Sequence, residues 1–187
     1  MSYEFTVTFS LPNAGGDPER YLDALFEAGC DDALVGIGQA GLIALDFERE
    51  AADAVEAVRS AIADVRRAIP DAEIVEVSPD LVGMTDIARL LGCSRQNVRK
   101  YALSTTTFPK PLHAGDSLLL WHLVDIANWA EKSNKYHNRV GPRLLELAAV
   151  TCRMNLELQL ARLPSHVLVR NVFSKVGDND QEAVCDA

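Results

Sequence analysis

Cysteine is scarce in this chain, and what there is stands apart. Cys30, Cys93, Cys152 and Cys185 form no C-x-x-C pair. That excludes the dense disulfide framework of a small secreted domain and the paired spacing of a zinc motif. His113, His122, His137 and His166 show no H-x-x-x-H pattern, so no metal site is expected. Long apolar runs are missing as well. The most apolar window, Leu118 to Ala130, is broken by His122 and Asp125 and is too short to cross a bilayer. The opening MSYEFTVTFS has no basic stretch before an apolar run, so the expected location is cytoplasmic, with no membrane partner. No nucleophile paired with a base and no pair of placed carboxylates stands out, so an enzyme is not expected.

What is present is the composition of a soluble globular protein: 48% hydrophobic and 24% charged residues over 187 positions, enough for one large or two small domains. The net charge is −9, but it is unevenly spread. Residues 1 to 82 carry 17 acidic and 5 basic side chains, whereas residues 83 to 143 carry 9 basic and 4 acidic ones. Beyond a Debye length of roughly 10 Å the acidic half is largely screened, so the local basic segment governs contact with a polyanion.

The first 79 residues alternate between strand and helix patterns. Apolar residues at 3, 5, 7, 9 and 11 give a half-buried strand. Asp17 caps a helix with Pro18 in its first turn and Leu22, Leu25 and Phe26 on its inner face, ended by Gly29. Ala33 to Val35 and Leu42 to Phe47 read as strands. Glu50 to Ile69 reads as a helix with Val55, Val58, Ile62, Val65 and Ile69 as one apolar stripe. Glu73 to Val77 is a last strand. This order is βαββαβ, the ferredoxin-like pattern within an α+β fold class.

Between the second and third strands, Gly36-Ile-Gly-Gln-Ala-Gly41 spells G-x-G-x-x-G. A dinucleotide fingerprint needs a helix N-terminus after the loop to hold the pyrophosphate. Here a strand pattern comes next, so the glycines read as a hairpin turn and no cofactor is expected.

Ser78-Pro79-Asp80 reads as a short linker into Met84 to Tyr101, MTDIARLLGCSRQNVRKY, which has the pattern of a helix-turn-helix. Thr85 is placed to cap a first helix with Ile87, Ala88 and Leu91 on one face. Gly92 supplies the left-handed residue that ends it. Ser94 caps a second helix whose only large apolar residue before Tyr101 is Val98; the others are Arg95, Gln96, Asn97, Arg99 and Lys100. Arg forks onto guanine, Gln and Asn onto adenine, and Lys neutralises phosphate. An ordinary helical hairpin with a solvated basic face has much the same pattern. The residues after Tyr101 speak against a plain hairpin. They give Phe108-Pro-Lys-Pro-Leu-His113 as an extended arm, a turn at Ala114 to Asp116, a strand from Ser117 to Trp121, and a helix with Val124, Ile126, Ala127 and Trp129.

The helix pair T-D-I-A-x-L-L-G-x-S-R-x-x-V, the F-P-x-P arm and the closing W-x-x-x-D-I-x-x-W together resemble a winged helix-turn-helix of the MerR and excisionase type. The resemblance covers residues 81 to 132, under a third of the chain. It implies a recognition helix carrying Arg95, Gln96, Asn97, Arg99 and Lys100, a wing carrying Lys110 and His113, and Thr85, Ser94 and Tyr101 among the DNA contacts. One departure is the wing tip, often basic in the family and here Gly115-Asp116.

After a polar, basic stretch from Glu131 to Val140, Gly141-Pro142 starts a long helix to Leu163, followed by Pro164. It has more apolar positions than one face on a small domain uses. In MerR-type proteins a helix after the winged domain makes the dimer. By that resemblance Leu144, Leu147, Met154 and Leu158 are the expected dimer contacts, with packing on the first domain as the alternative. The tail has an apolar part, Val167 to Val169 with Val172-Phe173, and an acidic end, Gly177 to Glu182, whose composition suits disorder.

The expected organisation is therefore an interaction or sensing domain (1–79), a winged helix-turn-helix (80–136), and a dimerisation helix with its tail (137–187). The expected function is a homodimeric regulator that binds double-stranded DNA in a sequence-specific way. Two alternatives stand beside it: an autoregulatory antitoxin that binds a toxin protein as well as its operator, and a ligand-sensing repressor.

Overall fold

The computed structural model describes residues 1–12, 17–36, 39–116 and 118–164. Among these the chain is a mixed α+β protein with two antiparallel sheets and two apolar cores.

Strands β1 (Ser2–Ser10), β2 (Ala33–Gly36), β3 (Leu42–Glu50) and β4 (Glu73–Ser78) form one sheet in the order β2-β3-β1-β4. The period-2 pattern does its expected job: Tyr3, Phe5, Val7 and Phe9 of β1 and Ile43, Leu45 and Phe47 of β3 are buried on one face. Each large side chain buried there contributes about 1.5–3 kcal/mol. Helices α1 (Leu22–Glu27) and α2 (Ala54–Ala68) share this core. Gly36 pairs with Ala44 across β2 and β3, so the glycine loop leads into a strand.

Two of the expected helix stripes need correction. The first helix opens as a 3-10 turn, Pro18–Tyr21, with Asp17 accepting from the Glu19 N–H. The change of period rotates the inner face onto Leu25, with Tyr21 packed against it. Leu22 is exposed and Phe26 is 69% exposed. In α2, Val55 is exposed, and the core face is Ala54, Ala57, Val58, Ala61, Ile62 and Val65. The helix starts only at Ala54, capped by Asp53, whose side chain accepts from the Glu56 N–H at 2.8 Å. Three alanines then let it sit close on the sheet.

Arg49 is the one inward-facing charge of β3, 7% exposed. Its guanidinium donates to both carboxylate oxygens of Asp32 at 2.7 and 2.9 Å, to Asp64 at 2.6 Å and to the Gly29 carbonyl at 2.8 Å. The Asp32 hydrogen bonds hold it firmly protonated against the cost of burial. The network ties β3, α2 and the turn before β2 together.

The second core belongs to β5 (Leu81–Val82), α3 (Met84–Leu91), α4 (Arg95–Ser104), β6 (His113–Ala114), β7 (Leu119–His122) and α5 (Leu123–Glu131). The three short strands pair in the order β5-β7-β6. Five aromatic rings fill one side: Phe108 contacts Trp121 and Trp129 edge-on, and Tyr101 contacts Phe108, Trp129 and Tyr136. Trp121 Nε1 donates to the Pro109 carbonyl at 2.9 Å, which fixes the F-P-x-P arm.

Helix α6 (Pro142–Arg162) joins the two cores instead of standing apart from them. Leu147 is buried in the first core, with Met154 and Leu158 packed against it; Ala148 is buried in the second, with Leu144 packed against that. The four residues expected at a dimer interface are thus used within the chain. The physical reason is the open edge of β4, which needs a cover. Asn155 and Arg162 supply it by bonding to Val77, Ile74 and Val75. The apolar and acidic segments beyond Pro164 lie outside the described residues.

Candidate nucleic-acid interface

Helix α3 begins two positions earlier than a cap at Thr85 implies. Gly83 is the cap residue, extended at φ −93°, and its N–H donates to Asp86 Oδ2 at 3.2 Å. Thr85 is therefore inside the first turn, exposed. The reason is that Asp86, three residues on, captures the Gly83 N–H, which starts the helix at Met84. Ile87, Ala88 and Leu91 are buried, and Gly92 ends the helix in the left-handed region at φ 62°.

Ser94 caps α4 by accepting from the Asn97 N–H at 3.2 Å. Val98 is the only buried residue of α4, docked in the second core, while Arg95, Gln96, Asn97, Arg99 and Lys100 are all exposed. One helix thus has an apolar anchor and an outer surface of forked, amide and ammonium donors.

Tyr101 is placed differently. It is half-buried among Phe108, Trp129 and Tyr136, and its hydroxyl lies 3.0 Å from that of Tyr136 and 3.4 Å from Lys135 Nζ. Hydrogen bonding from Tyr136, and then from Lys135, shifts the Tyr101 hydroxyl to a lower pKa. Its role in this geometry is to anchor the aromatic cluster.

Strands β6 and β7 pair antiparallel, with His113 opposite Leu120 and Ala114 opposite Leu119. His113 and Lys110 are exposed. A Cβ at Gly115 would lie 2.9 Å from His113 Nε2, so the imidazole folds over the turn only because that position is glycine.

Two cations from outside α3 and α4 stand next to them. Arg139 brings its guanidinium over the turn, 3.2 Å from where a Cβ of Gly92 would be. Lys135 sits over the Tyr136 ring at 4.9 Å. A third, Lys132, borders an open groove of about 720 Å³ with Lys110, Asn128 and Trp129. Only the fold reveals these placements. In sequence the three cations form a polar stretch after α5, and Tyr136 and Val140 are the buried residues that tie it down.

The largest departure from expectation is Asp80, read as linker and found 2% exposed. It meets His122 of β7, with Oδ1 at 2.7 Å from Nδ1, and Asn155 of α6 donates to its Oδ2 at 2.8 Å. Cys152 Sγ lies 3.4 Å from the same His122 Nδ1. Burial, then the Asp80 carboxylate, pushes the Cys152 thiol up to about 11. Because carboxylate and sulfur share one ring nitrogen, they do not form the relay that would activate a thiol nucleophile.

On the opposite side of the first sheet lies an uncovered face with Glu4, Thr6, Leu34, Asp46 and Glu48, which forms an open depression of about 730 Å³ with Asp31 and Asp32. Glu4 and Glu48 are directly opposed across β1 and β3. No helix of the described residues is long and apolar enough to cross a membrane. Comparisons with protein families, curated proteins and solved structures found no match for this chain.

Proposed function

We propose that this chain is a sequence-specific, double-stranded-DNA-binding regulator that lays α4 in the major groove. The observation that carries the reading is the split of α4. Val98 alone is buried, and Arg95, Gln96, Asn97, Arg99 and Lys100 are all exposed. A recognition helix needs that division, because one side docks on its own unit and the other meets base edges. We read the β5-β7-β6 sheet and its helices as a winged helix-turn-helix, and the β2-β3-β1-β4 sheet with α1 and α2 as ferredoxin-like. The wing has an acidic tip, Asp116, so phosphate contact falls to Lys110 and to the neighbouring Lys132, Lys135 and Arg139. The reading includes no catalytic step.

Leu156 and Leu160 of α6 and Leu163, the residue that caps its end, are all exposed and recur at steps of four and three. They are the dimer seam in this proposal, in place of the inward-facing leucines. A symmetric dimer would set two α4 helices on an inverted repeat.

Selection from random duplexes, followed by fluorescence anisotropy across a salt series, tests the proposal. An enriched motif whose affinity falls with salt is expected, with a slope that reports the phosphate contacts. Binding that does not distinguish the selected duplex from its scramble would overturn it.

A second reading, in which the first domain also holds a protein partner such as a toxin, is favoured by the acidic uncovered face and its exposed Leu34. A partner recovered with the wild-type chain and lost with Leu34→Glu supports it.

A further inference from the structure

Asp80 in the connection between β4 and β5, His122 at the end of β7 and Cys152 on α6 each bring one potential ligand atom within 4.8 Å of the other two. We propose that they form a binding site for a divalent cation of the zinc class, at the junction of the two cores. The site stands independently of DNA binding.

The donor set is one thiolate, one imidazole and one carboxylate. That mixture suits a borderline cation and disfavours magnesium or calcium, which take oxygen ligands. Charge supports it too: a dication offsets the thiolate and the carboxylate, which leaves a neutral centre in a buried place. The distances are near those of a tetrahedral ion. Zinc bond lengths put sulfur and nitrogen about 3.5 Å apart and nitrogen and oxygen about 3.3 Å apart. The present separations are 3.4 and 2.7 Å. The Asp80–His122 separation opens by about 0.6 Å as the proton between them is replaced by metal.

The surroundings orient the set. Asn155 donates to Asp80 Oδ2 and is itself held by Val77, which leaves Oδ1 directed at the ion. Outer-shell bonds of this kind fix a ligand and tune its basicity. Three protein ligands leave a fourth position for water, and His122 is partly accessible. The proton balance is defined. The Cys152 thiol proton leaves to solvent and the imidazole proton moves from Nδ1 to Nε2, so one proton is released per ion bound.

The test uses the full chain stripped with chelator and titrated with Co²⁺ and then Zn²⁺. One equivalent of Co²⁺ should give a thiolate-to-cobalt charge-transfer band that Zn²⁺ removes. Cys152→Ser and His122→Gln should abolish the band and weaken zinc binding about tenfold or more. Cys93→Ser and Cys185→Ser should retain it. No stoichiometric band in the wild-type chain, or a band that survives Cys152→Ser, overturns the site. If Cys152→Ser does not fold, nitrogen NMR of the wild type still decides. Equimolar Zn²⁺ must move the His122 proton from Nδ1 to Nε2, and unchanged His122 signals overturn the proposal.

Discussion

Asn155 treats Val77 as a neighbouring strand would. Its Oδ1 accepts the Val77 N–H at 2.9 Å, and its Nδ2 donates back to the Val77 carbonyl at 2.8 Å. A side-chain amide on α6 thereby closes the open edge of β4, and the same Nδ2 reaches Asp80. Asn155→Ala should leave a buried donor, a buried acceptor and a carboxylate oxygen without partners. At about 1–3 kcal/mol for each unsatisfied group, a loss of about 3 kcal/mol or more is expected. Asn155→Asp should be no better, because it keeps the acceptor, loses the donor and faces Asp80 with a second carboxylate. Urea unfolding at constant slope measures both. A loss under about 1 kcal/mol for Asn155→Ala would mean that α6 is not seated on β4.

Helix α4, the recognition helix of the proposed function, gives a sharper prediction, because its residues are expected to fail in different ways. Arg95→Ala and Arg99→Ala should each cost about 1–3 kcal/mol on the selected duplex and relax specificity at one position. Lys100→Ala should weaken selected and scrambled duplexes alike and lower the salt slope by about 1. Equal losses on both duplexes for all three variants would remove the base-reading role of α4. Since all three side chains are exposed, thermal stability should hold, which separates this outcome from misfolding.

Much of the fold is legible in the residues, and the exceptions have a common cause. The alternation from Tyr3 to Leu11 and the Gly92-Ser94 punctuation are local signals, set by period and by capping, and the structure follows them. Asp80 is not legible. Its burial depends on partners 42 and 75 positions away, and a polar residue after Ser-Pro reads as linker. The leucines of α6 fail in the same way. Their surplus is visible, but which of them face inward depends on an open β4 edge that no local pattern announces. Tyr101 matches a motif position and is nevertheless half-buried, because Tyr136 returns from 35 residues away to take its hydroxyl.

Cys30 makes stability fall at alkaline pH. Burial raises its thiol to about 11, with Asp64 and Asp32 adding to the shift and Arg49 and Arg67 opposing it. The unfolded chain releases this proton at the ordinary thiol value, so above that pH the unfolded state binds fewer protons than the folded one. Stability contributed by the neutral thiol is therefore complete below the ordinary value and is lost progressively up to about pH 11. Unfolding midpoints across this range should decline for the wild type and decline less for Cys30→Ala. Parallel slopes for the two proteins would show that the thiol does not titrate this way.

The remaining apolar stripe at the end of α6 is the proposed dimer seam. Leu160 is 66% exposed, and Leu156 and Leu163 flank it at one-turn spacing. Three leucines along two turns are costly to leave in water, and a second copy offers the same stripe in return. Leu156→Glu with Leu160→Glu should give a monomer by sedimentation, with unfolding changed by less than about 1 kcal/mol per residue because neither side chain is buried within the chain. Affinity for an inverted repeat should then fall toward that for a single half-site, while binding to the half-site stays the same. A double variant that remains dimeric would place the interface elsewhere, and one that loses half-site binding as well would show that the leucines support the fold.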